Sequence, residues 1–246
     1  MKTYWFTVIG GKVHAYQEHV RNLVASGHQH GIDVNVASLP GGDIEAAFMH
    51  KARTILSAPP DCDRICFVDA DAVIQDPSGH EDLHGSFLES RKQSVRKLAH
   101  KEKWEDQEIA EIRFSRIAGL LRDNGLSDFA DQTHPYAGAE WNSGVIMGDR
   151  GFMQELAETW LWWYEALGKA NDGVFRGDQV SYRIAYYLVG MKKYGFETIP
   201  ETWNWMIKRK GFNEEANILH RAGHPNGKLC EAWRVYVAEM LGNEDA

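Results

Sequence analysis

Arg64-Ile65-Cys66-Phe67-Val68-Asp69-Ala70-Asp71-Ala72-Val73 is the stretch on which the reading of this chain turns. A short, mostly apolar run bounded upstream by Pro59-Pro60 predicts a buried strand over 64–68, and it runs into two carboxylates separated by one small residue. In extended backbone, residues i and i+2 point to the same side, so Asp69 and Asp71 are expected to converge on one divalent ion. Two hard carboxylate oxygens suit magnesium or manganese, which complete their shells with water and substrate phosphates; a phosphorylated ligand is implied. The blander reading is two solvated aspartates at a strand end. Asp63 and Arg64, just ahead, read as loop charges.

Working outward, the segments before this strand alternate in type. Thr3 to Ile9 is β-branched and aromatic and ends at Gly10-Gly11; Val13 to Ser26 has helical spacing and stops at Gly27. Asp33 to Leu39 alternates like a strand, and Ile44 to Ser57 is helical. The order βαβαβ predicts an α/β fold, a Rossmann-like, mostly parallel central sheet with helices on both faces. Its ligand crevice would lie beyond the carboxyl ends of the strands, where Asp69 and Asp71 fall.

Downstream, Ser86 to Arg122 is polar, nearly free of Gly and Pro, and helical in period, so a helical insert is expected over about 86–122. Ser143 to Met147 reads as a strand, Phe152 to Leu167 and Asp178 to Val189 as helices, Asn217 to His220 as a late strand, and Leu229 to Leu241 as a final helix. Phe152, Leu156, Trp160, Trp163 and Leu167 recur three or four residues apart, the spacing of a core-facing helix stripe rather than a sugar-stacking platform. No internal repeat is evident. One domain over 1–246 is the expected organisation.

Of the 246 residues, 43% are apolar and 25% charged, which excludes a disordered or collagen-like chain. The formal net charge of −8 disfavours nonspecific nucleic-acid binding, but Arg91 to Arg122 carries nine Lys or Arg against five Asp or Glu. That stretch reads as a solvated helical surface or as a basic patch for an anionic acceptor. Cys62, Cys66 and Cys230 are an odd number and too few to staple a secreted chain, so buried thiols in a reducing cytoplasm are expected. No run of about 18 apolar residues predicts a membrane span. His28, His30, His84 and His134 have no partner at metal spacing and read as surface residues.

The Asp-Ala-Asp element resembles the DxD motif of nucleotide-sugar glycosyltransferases with the GT-A fold. The later segments resemble glycosyltransferase family 8 and its retaining relatives, in the same order. Trp141-Asn142-Ser143-Gly144-Val145-Ile146-Met147 is similar to that family's Asn-Ser-Gly strand, and Gly177-Asp178-Gln179 to its Asp-Gln segment. Thr202-Trp203-Asn204-Trp205 resembles its aromatic-Asn element, and Ile218-Leu219-His220-Arg221-Ala222-Gly223, followed by Lys228, its His-x-x-Gly.

The resemblance implies that Asp69, Asp71 and His220 hold manganese or magnesium, with Asp69 or the Ala70 backbone also near the ribose. Gly223 and Lys228 would approach the diphosphate, although His224-Pro225-Asn226-Gly227 spaces the lysine more widely than the family does. Arg53, with Lys51 as second choice, would neutralise the donor from the preceding helix. Asn142 and Ser143 would line the transferred sugar, and Asp178 and Gln179 would face its reacting carbon or hydroxyls; Asp178 reads equally as the N-cap of the helix beginning at Gln179. The implied activity is transfer of a hexose from a nucleotide diphosphate sugar, by resemblance a UDP-sugar, to an acceptor hydroxyl with retention. A saccharide is the default acceptor, with a protein hydroxyl or a hydroxymethylated DNA base, reached through the basic 91–122 region, as alternatives. Two other classes stay open: a haloacid-dehalogenase-like magnesium phosphatase that attacks phosphate with the first aspartate, and a nucleotide-sugar binding module without catalysis.

Overall fold

The computed structural model describes residues 1–10, 13–39, 44–90, 107–132, 139–170, 178–222 and 230–242. The first half follows the expected alternation: β1 (Thr3–Ile9), α1 (Val13–Gln29), β2 (Val34–Ser38), α2 (Ile44–Leu56) and β3 (Arg64–Val68). After β3 come β4 (Ala72–Ile74), β5 (Gly85–Ser90), α3 (Gln107–Asp123), α4 (Ser127–Gln132), β6 (Ala139–Asp149), α5 (Arg150–Ala170) and α6 (Asp178–Tyr186). The last described elements are β7 (Trp205–Met206), α7 (Ile207–Lys210), β8 (Ile218–His220) and α8 (Cys230–Leu241).

Five strands form the central sheet in the order β2-β1-β3-β6-β5. β1 pairs in parallel with both β2 and β3, whereas β6 runs antiparallel to β3 and to β5. The sheet is therefore mixed rather than uniformly parallel: one reversed strand, β6, sits inside it. A smaller sheet, β4-β8-β7, adjoins the end of β3. Only three residues, Asp69-Ala70-Asp71, separate β3 of the large sheet from β4 of the small one.

The core follows from the period of two in the strands. Ile65 and Phe67 of β3 face one side with Phe6 and Ile146, packing on Ala52 and Ile55 of α2 and on Phe152, Leu156 and Trp160 of α5. Cys66 and Val68 face the other side with Trp5, Val145 and Met147, against Leu23 of α1 and Ile218 of the small sheet. The expected helix stripe holds: Phe152, Leu156, Trp160, Trp163 and Leu167 are all buried, and Trp162, off the stripe, is 53% exposed. Cys62 and Cys66 are buried free thiols.

Three expectations are corrected here. Residues 85–90 are not the start of a helical insert but a strand, paired with β6 through an irregular register between Ser86 and Leu88. Helix is found from Gln107, and 91–106 lie outside the described residues. Arg64 is not a loop charge. It is 2% exposed, and its guanidinium donates to Asp149 Oδ1 at 2.8 Å and to the backbone oxygens of His80 and Leu83. His84 is not a free surface residue either: it stacks on Phe196 and its Nε2 lies 2.9 Å from Asp149 Oδ2. A buried guanidinium is tolerable only with such a full set of acceptors, which come from residues 16 to 85 positions away and leave no local trace.

Candidate metal centre

The central sheet and the small sheet meet at Asp69-Ala70-Asp71. Hydrogen bonding carries β3 one step past Val68: the Asp69 N–H donates to Gly144 O at 2.7 Å. The chain then turns, with Ala72 N–H donating to Asp69 O at 3.1 Å. This is a β-turn, so the two carboxylates converge across a reversal of the backbone and not through the pleat of an extended strand. Across the small sheet Ala72 pairs with His220, the last residue of β8, and Arg221 N–H donates to Asp71 O at 2.9 Å. That register delivers the His220 ring to the carboxylates. Its Nε2 lies 3.3 Å from Asp71 Oδ1 and 3.6 Å from Asp69 Oδ2.

Asp69, Asp71 and His220 each offer one ligand atom, and these atoms lie within 4.8 Å of one another; among the described residues they are the group able to hold a metal ion. Two carboxylate oxygens and one imidazole nitrogen form a donor set that a divalent ion accepts, with further positions left for water or a phosphate oxygen. His220 is 4% exposed and Asp71 8%, so the site is walled by protein on that side.

Charge is compensated locally. Lys51 Nζ stands 2.8 Å from Asp69 Oδ1 and 4.8 Å from the centre of the Phe67 ring. Burial pulls the His220 imidazolium down, yet the Asp71 and Asp69 carboxylates outweigh burial and hold its pKa above the ordinary value. A divalent ion would take over that compensating role from the Nε2 proton.

Behind the ligands is a layer of buried amides. His220 Nδ1 lies 2.8 Å from Asn204 Oδ1; Asn204 Nδ2 donates to Asn142 Oδ1 at 3.0 Å; and Gly144 N–H donates to the same Asn142 oxygen at 2.7 Å. Gly144 is required by close approach. A Cβ there would sit 2.5 Å from His220 Cε1 and 2.7 Å from Asn142 Oδ1, inside van der Waals contact. The Asn-Ser-Gly strand thus passes directly under the His220 ring. Beyond His220, Ala222 adopts φ 53°, a left-handed conformation uncommon for a residue with a side chain.

Of the residues singled out in the sequence, Asp69, Ala70, Asp71, Asn142, Ser143 and His220 gather at this junction of the two sheets. Arg53 is exposed, and Lys51, the second choice, is the residue of α2 that reaches Asp69. Helical phase carries the signal: Lys51 precedes the buried Ile55 by four residues and shares its face, while Arg53 does not. Asp178 and Gln179 open α6. Gly223, Lys228, Arg96, Lys97 and His134 lie outside the described residues. Sequence reasoning quoted Asn204 and Gly144 without a role, because their partners are remote in the chain.

No protein-family model matches the sequence, and no curated protein matches it. Among solved structures, the chain is similar to the crystal structure of a glycosyltransferase involved in the glycosylation of the major capsid of PBCV-1. The TM-score is 0.55 over 95% of this chain and 100% of that one, with 12% of residues identical. The two chains share a fold. In this glycosyltransferase-like fold the Asp69-Asp71-His220 group stands past the carboxyl end of a central strand, the position at which open α/β sheets hold ligands. None of the described helices is long and apolar enough to cross a membrane.

Proposed function

We propose that this protein is a metal-dependent glycosyltransferase, related to family 8, that moves a hexose from a UDP-sugar to the hydroxyl of a saccharide acceptor with retention. The observation that carries the reading is the convergence of Asp69, Asp71 and His220 at the junction of the two sheets. Breaking a sugar–phosphate bond leaves a nucleoside diphosphate whose charge grows in the transition state. A bound manganese or magnesium ion supplies electrostatic stabilisation of that leaving group. Asp69, Asp71 and His220 hold the ion, and Lys51, rather than Arg53, sets the charge of Asp69 beside the donor.

Ser143 lines the transferred sugar, whereas the Asn142 amide, engaged by Gly144 N–H and Asn204 Nδ2, stands behind His220 and does not. The Ala70 backbone lies against the ribose, and Gly223 and Lys228 belong to the diphosphate. Asp178 and Gln179 face the reacting carbon, where a carboxylate would stabilise positive charge on the sugar ring. Losing one group that stabilises the developing charge typically costs about 3 to 4 kcal/mol of barrier. The whole of 1–246 acts as one catalytic domain in this reading.

The test is hydrolysis and transfer of UDP-hexoses by the purified protein with and without manganese. Metal-dependent release of UDP, abolished in Asp71→Ala with an unchanged circular dichroism spectrum, is the expected result. Full activity of that variant in the presence of a chelator overturns the proposal. Binding of UDP-sugar with no turnover for any acceptor would favour the binding module, and a trapped phospho-aspartate at Asp69 the phosphatase.

A further inference from the structure

The buried amides behind His220 form a chain whose hydrogen-bond directions follow from a single backbone group. Gly144 N–H is a fixed donor, and the Asn142 side-chain atom 2.7 Å from it must therefore be the acceptor oxygen Oδ1. The Asn204 atom 3.0 Å from that same oxygen must in turn be a donor, which makes it Nδ2. The other end of the Asn204 amide is then Oδ1, an acceptor, 2.8 Å from His220 Nδ1. An acceptor facing a ring nitrogen at this distance requires the proton on that nitrogen. Nδ1 carries a hydrogen, and Nε2, the atom 3.3 Å from Asp71 Oδ1, is the ring nitrogen whose proton a metal ion would replace.

From this we infer that Asn204 is a positioning residue: with Asn142 and the Gly144 amide behind it, it holds the His220 ring by its Nδ1–H and so directs Nε2 to the gap between the two carboxylates, where a metal ion would meet it. Asn204 is fully buried and sits on a 3-10 turn, Glu201–Asn204, that leads into β7, the strand paired with β8. The relay is therefore anchored on both sheets at once, through Gly144 of β6 and through the turn before β7. The ring has little freedom left, since a Cβ at Gly144 would already meet Cε1 and Nδ1. Orientation by an outer hydrogen-bond acceptor is the usual device for a metal-binding imidazole, and loss of such a partner typically weakens metal affinity about 10- to 100-fold.

The role of Nε2 rests on the proposed metal centre; the Nδ1–H hydrogen bond to Asn204 does not, and that separates the two in an experiment. The full-length, metal-free protein is labelled with 15N-histidine. The His220 ring signals are assigned by their loss in His220→Gln, and Mn2+ affinity is measured by calorimetry on the wild type, Asn204→Leu and Asn204→Asp. Asn204→Leu removes the acceptor, whereas Asn204→Asp keeps one facing Nδ1. The expected result is a hydrogen-bonded Nδ1–H signal in the wild type and in Asn204→Asp, in the charged ring as in the neutral one. Asn204→Leu should lose that hydrogen-bonded signal and show at least a tenfold weaker Mn2+ affinity. Should Asn204→Leu not fold, an Nδ1 without a proton in the wild type or in Asn204→Asp overturns the inference by itself. A folded Asn204→Leu that keeps both the wild-type Nδ1–H signal and the wild-type affinity also overturns it. If the wild type binds no Mn2+ while showing the hydrogen-bonded Nδ1–H, the metal proposal fails and the positioning of the ring by Asn204 stands.

Discussion

Next to the candidate metal centre, His19 and Arg221 are both buried, and the Arg221 guanidinium lies 3.3 Å from His19 Nε2. Burial, with that guanidinium beside it, holds the His19 pKa below its ordinary value of 6.5. The neutral ring accepts from Arg221; a protonated one would set two cations against each other. The sign follows. A depressed folded-state pKa contributes stability that is fully present above about pH 6.5 and lost as pH falls through the lower folded value. Urea unfolding from pH 7.5 to 5.5 should therefore show a steeper loss for the wild type than for His19→Gln, which keeps an acceptor and does not titrate. Parallel slopes would contradict this account. At Gly144 the constraint is steric: Gly144→Ala forces the His220 ring aside, and overpacking of this kind costs typically 1–3 kcal/mol. We expect Gly144→Ala to lower thermal stability by that order and to bind Mn2+ more weakly. Asp69 and Asp71 were legible as a converging pair, although the cause differs. The sequence reading assigned their convergence to the strand pleat, whereas the Asp69–Ala72 turn produces it.

Among the elements, those whose side chains announce their own period were the readable ones. β1, β3 and α5 carry dense apolar alternation or a helical stripe, and the structure places them within a few residues of the expected bounds. Trp160 sits at the centre of the α5 stripe, fully buried, with its indole N–H donating to Ser181 Oγ at 3.2 Å. Trp160→Ala should destabilise by about 3–5 kcal/mol, in the range of large aromatic deletions from cores. Trp162→Ala, on the exposed side of the same helix, should leave stability within about 0.5 kcal/mol. Chemical denaturation of the two variants measures the contrast. β5 was not readable. Gly85–Ser90 has weak strand propensity, and it is held by its long-range partner β6, by Leu88 N–H donating to Thr198 Oγ1 at 2.8 Å and by Tyr182 donating to Ser86 Oγ at 2.7 Å. No window of sequence around 85–90 contains those partners.

For the molecule as a whole, the two sheets close on the candidate centre from opposite sides, β3 and β6 from the large sheet and β8 from the small one. A ligand spanning that junction binds the folded chain alone and stabilises it by mass action, by about 2.7 kcal/mol at a concentration 100 times its dissociation constant. The thermal midpoint should rise with manganese and UDP together by more than the sum of the separate shifts, and a chelator should reverse the joint effect. Purely additive shifts would mean that ion and nucleotide do not share the site.

Sequence alone determined the α/β alternation, the buried strand that ends in two aspartates and the helix face built from Phe152 to Leu167. Each is a matter of local period, legible within a dozen residues. Tertiary structure alone decided that β6 is reversed within the sheet, that Lys51 and not Arg53 meets Asp69, that Arg64 is an interior residue, and that Asn142, Asn204 and His220 form one buried chain. These depend on strand register and helix phase between residues up to 85 apart, and a pairing at that range is selected by packing of the whole core, not by the residues that finally touch.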